Sequence, residues 1–199
     1  MLDSRSPLYR AARFLSAVGH PLATSAFMIG ATCFRFLDRS TAIGLLGVLV
    51  LCVIGPITWW NLRGVQKGRY SDFDISRRQD RETMYPIMVL LPLIGSVILW
   101  AADQPKVLYA GMLSASLMGL VAFFVNRRIK ISLHAAFCFF FAVGSAALAW
   151  AWVAPLTVFA ILVAASRWMV GRHVWSELVL GTLLGSAVGL SLLGVLGVV

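Results

Sequence analysis

His173 and Glu177 stand four residues apart in the stretch Ser166-Arg167-Trp168-Met169-Val170-Gly171-Arg172-His173-Val174-Trp175-Ser176-Glu177. On a helix that begins near His173, this spacing sets both side chains on one face. A carboxylate so placed accepts a hydrogen bond from one imidazole nitrogen, fixes the tautomer and leaves the other nitrogen to attack an electrophile. Glu177 is the only acidic residue after Asp103. A lone carboxylate at the head of a long apolar segment is costly unless it has a partner. Arg167 adds a planar fork of donors that matches phosphate oxygens. A second histidine follows the basic stretch Arg127-Arg128-Ile129-Lys130, in Ser132-Leu133-His134. Its imidazole titrates near neutral pH and is suited to protonating a departing alkoxide, with Ser132 as a further donor. Two histidines, a serine, several arginines and one isolated glutamate form a set suited to handling phosphate.

The elements that must position these residues are apolar helices. The chain has 199 residues, 60% hydrophobic and only 13% charged, far more apolar than a soluble domain. A helix needs about 20 apolar residues to cross a bilayer. Candidate spans fall at 14–34, 41–61, 86–102, 107–125, 135–153, 155–170 and 174–198. The expected fold is therefore all-α, a polytopic transmembrane helix bundle of six or seven spans, forming a single domain over residues 1–199. His20-Pro21 is expected to kink or break the first span. No cleavable signal peptide is expected, because the apolar segment after the basic start, Met1–Arg13, has no small-residue cleavage site. Cys33, Cys52 and Cys138 lie in apolar stretches without metal-ligand spacing and read as buried hydrophobes. One connection is long: residues 62–85 carry six of the seventeen Lys and Arg and four of the eight Asp and Glu. A loop of that length is usually functional or disordered.

Net charge is +9, which in a soluble protein would suggest nucleic acid. In a membrane protein it records topology and contact with anionic lipid, so no nucleic-acid partner is expected. If seven spans cross, the N-terminus, the 62–85 loop, the 126–134 connection and the 166–173 turn share one side. Fourteen Lys and Arg lie there, from Arg5 to Arg172, against Arg35, Arg39 and Lys106 opposite. Setting aside Arg77, Arg78, Arg81 and Arg167, the count is still ten against three. The excess places the histidine side in the cytoplasm.

The pattern resembles the type 2 phosphatidic acid phosphatases. That family's third motif is Ser-Arg, five residues, His, three residues, Asp; Ser166-Arg167, His173 and Glu177 match its spacing with Glu for Asp. Its second motif is Pro-Ser-Gly-His, and Ile131-Ser132-Leu133-His134 keeps Ser and His. Its first is Lys, six residues, Arg-Pro. Here Asp74 to Arg81 keeps the interval with a different first residue, and Pro86 follows five residues later. The chain is similar to a divergent bacterial branch with an Asp-x-x-x-Arg-x-x-x-Arg form of that motif and a His-Pro pair in the first span, as in His20-Pro21. The motif regions are 67–86, 131–134 and 166–177. The resemblance implies a metal-independent lipid phosphate phosphatase in a bacterial plasma membrane, with no cofactor. It implies that His173 attacks phosphorus, that His134 protonates the leaving group and then activates water, and that Glu177 orients His173. Arg167, Arg81, Ser132, and Arg77 or Lys67 would hold the phosphoryl oxygens.

Each feature also has a plainer reading. His134 and His173 alone are interfacial polar residues, Arg127, Arg128 and Lys130 are positive-inside anchors, and the tryptophans near span ends form interface belts. Arg77 to Arg81 reads equally as an exposed helix with i,i+4 pairs to Asp74 and Glu82. His20 needs no role beyond packing beside Pro21. A lipid phosphotransferase would share every motif, and a non-catalytic protein binding anionic lipid would tolerate the departures in the first two. The partners expected are a lipid phosphate and membrane lipids; substrate identity and oligomeric state are not encoded in these motifs.

Overall fold

The computed structural model describes residues 6–199, and among them every regular element is helical. Arg5, one of the basic residues of the orientation count, lies outside the described residues. The α-helices are α1 (Pro7–Val18), α2 (Pro21–Phe36), α3 (Arg39–Leu49), α4 (Gly55–Gln66), α5 (Tyr85–Ala101), α6 (Lys106–Asn126), α7 (Leu133–Gly144), α8 (Val153–Met169) and α9 (Trp175–Leu196). A π-helical turn, Val50–Ile54, joins α3 to α4 as one 28-residue stretch. Five helical stretches are long and apolar enough to cross a membrane: Arg39–Gln66, Gln79–Ala101, Lys106–Asn126, Trp150–Met169 and Trp175–Leu196. α1 and α2, bent by 51° at Gly19-His20, qualify together as a sixth. The chain is an all-α, polytopic integral membrane protein. Large apolar side chains such as Leu51, Leu90, Ile98, Leu183 and Val195 are exposed along the spans, where lipid replaces water as their solvent.

The expected span at 135–153 takes a different form. The helix Leu133–Ala147 is apolar but short. The Ser145 hydroxyl donates back to the Ala142 carbonyl at 2.7 Å, the chain tightens into a 3-10 turn at Ser145–Ala147, and Ala149 is extended. The hydroxyl and the tighter turn draw carbonyls out of the α pattern.

The fold divides into two compact units, one running to Ser25 and resuming at Ile131–Val199, the other Ala26–Lys130. In the first, α7 packs on both α8 and α9, and α8 packs on α1. α1 begins at the Ser6 cap, whose hydroxyl accepts from the Tyr9 N–H, and buries Ala12 and Ser16 one turn apart. α7 and α9 run parallel and nearly touch along glycines. A Cβ at Gly181 would strike the Ser132 carbonyl, one at Gly185 the Ala136 carbonyl, and one at Gly189 would lie 2.8 Å from Val143 Cβ. Small residues at four-residue spacing let helix backbones approach where lipid provides no hydrophobic drive between them.

In the second unit, Asp38 caps α3 by accepting from the Ser40 and Thr41 N–H groups at 3.0 and 3.1 Å. Hydrogen bonds, from the Ser40 side chain foremost and then Thr41, hold its carboxyl well below the usual carboxylate range. α5 and α6 form an antiparallel hairpin in which Ser96 donates to the Tyr109 carbonyl at 2.7 Å and Ser116 to Val89 at 2.8 Å.

Gly185→Ala is expected to destabilise the detergent-solubilised protein by about 1–3 kcal/mol, because the methyl meets backbone. Gly194→Ala, where the methyl meets open space, should be neutral or stabilising. Thermal unfolding followed by circular dichroism compares them. Equal midpoints would remove the glycine contact as the basis of the α7–α9 packing.

Candidate functional site

The parallel packing of α7 and α9 places their N-termini side by side in the first unit. The Ser132 N–H donates to the Glu177 carbonyl at 3.0 Å, joining the two ends through backbone. α8 runs the opposite way, so its C-terminal turn, with Arg167, reaches the same end. The chain then reverses through Gly171, whose φ of 71° is costly for any side chain but glycine's. The Arg172 N–H closes this turn on the Arg167 carbonyl at 3.0 Å, a Schellman-type cap. Trp168 and Trp175 bracket the turn with ring centroids 5.4 Å apart.

His173 and Glu177 meet as their spacing implies, but by a different route. α9 starts at Trp175, so His173 precedes the helix and Glu177 lies in its first turn. Glu177 Oε2 is 2.6 Å from His173 Nδ1 and 3.4 Å from the Val174 N–H. The carboxylate therefore caps the helix, favoured there by the helix dipole, and the chain before the helix folds its imidazole onto it. With Nδ1–H given to the carboxylate, Nε2 is the nitrogen left with a lone pair. His173 is 4% exposed, so its pairing is made away from bulk water.

Ser132 caps α7. Its Oγ accepts from the Ala135 N–H at 3.4 Å while its own O–H remains a donor. His134 sits in the first turn of α7, buried. Arg167 is 2% exposed, and one Nη1–H donates to Ser16 Oγ of α1 at 2.6 Å. Ser166 turns back on its own helix, donating to the Val163 carbonyl at 2.7 Å.

Two further residues join this end: His20, noted in the sequence only as part of a His-Pro pair, and Ser16, which was not singled out. The His20 ring meets the His134 ring edge to face, centroids 5.1 Å apart. His20 Nδ1 accepts from the Leu22 N–H at 3.2 Å, which assigns its proton to Nε2. The His20-Pro21 pair was visible in the sequence; its partner was not. Ser16 carried no signal, since a serine in a helix with two arginines is unremarkable until Arg167 reaches it.

Ser132, His134, Arg167, His173 and Glu177 thus gather in the first unit. Arg81, Arg77 and Lys67 belong to the second, and each is tied there differently. α4 extends to Gln66, so the 62–85 connection is shorter than its composition implied. Residues 79–83 form a 3-10 turn with Arg81 buried, not the exposed α-helix of the plainer reading. Arg81 is buried, and its Nε–H donates to the Ile75 carbonyl at 2.9 Å. Arg77 is exposed. Arg78 donates to the carbonyls of Arg127 and Arg128 at 3.1 and 2.8 Å, and the Asn126 amide donates to the Arg78 carbonyl at 3.1 Å; both fasten the loop to the end of α6. Lys67, exposed, is the C-cap of α4.

No protein-family model, no curated protein and no solved structure matches the chain.

Ser16→Ala removes one acceptor from a buried guanidinium and is expected to cost about 1–3 kcal/mol. Thermal unfolding in detergent reads this. Ser16→Thr, which keeps the hydroxyl, should recover most of the loss, and an unchanged midpoint for Ser16→Ala would show that the contact orders Arg167 without stabilising the fold.

Proposed function

We propose that the protein is a membrane-embedded lipid phosphate phosphatase that works through a phosphohistidine on His173. The observation that carries this reading is the 2.6 Å contact of Glu177 Oε2 with His173 Nδ1, at an end of the first unit that also holds Arg167, Ser132 and His134. A buried imidazole oriented through Nδ1 is a nucleophile aimed through Nε2. His173 Nε2 attacks phosphorus, and the bond to the lipid oxygen breaks. His134, protonated, gives its proton to that oxygen, which leaves as the lipid alcohol. His134 then takes a proton from water as its oxygen attacks the phosphohistidine, releasing phosphate and restoring both rings. Arg167, its plane set by Ser16, and the Ser132 hydroxyl hold the phosphoryl oxygens and their spreading charge. These donors supply electrostatic stabilisation without a metal.

The membrane spans support a lipid substrate: an apolar tail stays in hydrocarbon while the head meets the polar end. With the short α7 counted as crossing, the Lys and Arg excess of ten against three supports a cytoplasmic site, and the resemblance of the motifs supports a bacterial plasma membrane.

Purified protein is expected to release phosphate from solubilised lipid phosphates in the presence of a chelator. Loss of activity on chelation would sink the metal-free mechanism. His173→Ala should lower the rate at least about 10³-fold, and Glu177→Gln between about 10² and 10⁴-fold. Radiolabelled substrate should leave an acid-labile, alkali-stable label on wild-type protein and none on His173→Ala. Near-normal turnover by that variant would overturn the nucleophile assignment, and a new phosphoester in place of free phosphate would make the enzyme a transferase.

A further inference from the structure

The second unit contains a cavity of about 240 Å³ at the C-terminal end of α4, lined by Trp59, Trp60, Arg63, Lys67, Arg69 and Tyr70. The local sequence builds it. α4 ends at Gln66 with Lys67 as its C-cap, and Gly68 follows with φ 68°, the left-handed turn that sends the chain back along the helix. The N–H groups of Arg69 and Tyr70 both reach the Gly64 carbonyl, at 2.9 and 3.3 Å. The Tyr70 ring lies against Gly64, where any Cβ would strike it. Its hydroxyl accepts from Trp60 Nε1–H at 2.8 Å and meets Thr83 Oγ1 at 2.7 Å. Tyr70, 5% exposed, is thus a fixed wall. Arg63 lies over the Trp59 ring at 5.6 Å, a cation–π arrangement that sets its position.

Three cations therefore face one concave space. Among the described residues none of the three pairs with a carboxylate. Basic residues at a span end serve as topology anchors, and a helix C-terminus welcomes cations. Either purpose is met by side chains splayed into water and needs no aromatic walls. The cavity volume is several times the roughly 30 Å³ of one water. Two guanidinium forks and an ammonium match a phosphate group's oxygens, and tryptophans at a span end set the depth at which lipid headgroups lie.

We propose that this pocket is a binding site for the phosphate of an anionic lipid headgroup, built independently of the histidine site and retained without it. Lys67 and Arg69 close on the phosphate from the loop, Arg63 from the helix, and the aromatic walls exclude water and flank the glycerol.

Native mass spectrometry of the full-length protein in detergent tests this, with phosphatidic acid, phosphatidylglycerol and phosphatidylcholine in one arm and inorganic phosphate in the other. Wild type should retain the two anionic lipids in preference to phosphatidylcholine. Removing charge should weaken retention about fivefold per residue, and on the order of 100-fold in Arg63→Gln/Lys67→Gln/Arg69→Gln. Gly64→Leu, which displaces Tyr70 and keeps every charge, should also lose the preference, while His173→Ala should keep it. The three cations are surface groups, and each single substitution carries the same test if the triple variant does not fold. Binding of inorganic phosphate, lost in the triple variant, would support the site with a soluble phosphate as ligand; binding of lipid alone, lost likewise, would assign it to the membrane. Anionic lipid retained equally by wild type and the triple variant, or bound by neither, would overturn the proposal.

Discussion

The close parallel contact of α7 with α9 is the constraint on which the histidine site depends. Between lipid-embedded helices no water is released on packing, so association rests on backbone proximity and polar contacts. Gly181, Gly185 and Gly189 bring α9 onto the carbonyls and small side chains of α7, and the Ser132–Glu177 backbone bond joins the two N-termini. A larger residue at Gly185 would push the helices apart and separate Ser132 and His134 from His173 and Glu177. The other links hang on this pair: α8 returns Arg167 to the same end, and α1 meets it through Ser16.

Placing a buried arginine, two buried histidines and a half-buried glutamate at a membrane-span end is tolerable only when their polar groups are matched. Glu177 meets the demand with one oxygen, which lies near both the first amide of its helix and the His173 imidazole. The geometry that starts the helix thus also orients the ring. Imidazole orientation becomes a by-product of helix initiation, so its precision depends on where α9 begins and not on the drift of a helix face.

The second unit handles its charge differently. Its long connection is held by Tyr70 against α4, by Arg81 on the Ile75 carbonyl and by Arg78 on the end of α6. Arginines that composition alone presents as solvated therefore divide into two classes. Some replace missing backbone partners in an irregular segment, and others, at the end of α4, face a cavity. The same residue type serves folding in one place and offers a ligand surface a few residues away.

The sequence by itself determined the helical class, the apolar spans, the break at Gly19-His20-Pro21 and the approach of His173 to Glu177, because each follows from interactions within a few residues or from the length of an apolar run. Even there the local reason differed: a capping carboxylate, not a shared helix face. Tertiary structure alone decided that α7 is too short to match the other spans, that Ser16 takes the Arg167 hydrogen bond, that His20 meets His134 and that Tyr70 lies on Gly64. The glycines at 181, 185 and 189 could be counted in the sequence, yet nothing local says which helix they receive. In a membrane, residues facing lipid and residues facing a neighbouring helix are equally apolar, so the alternation that reveals a soluble core is lost. Partner choice is then encoded in side-chain volume and in rare polar pairs far apart in the chain, and these acquire meaning only when the helices meet.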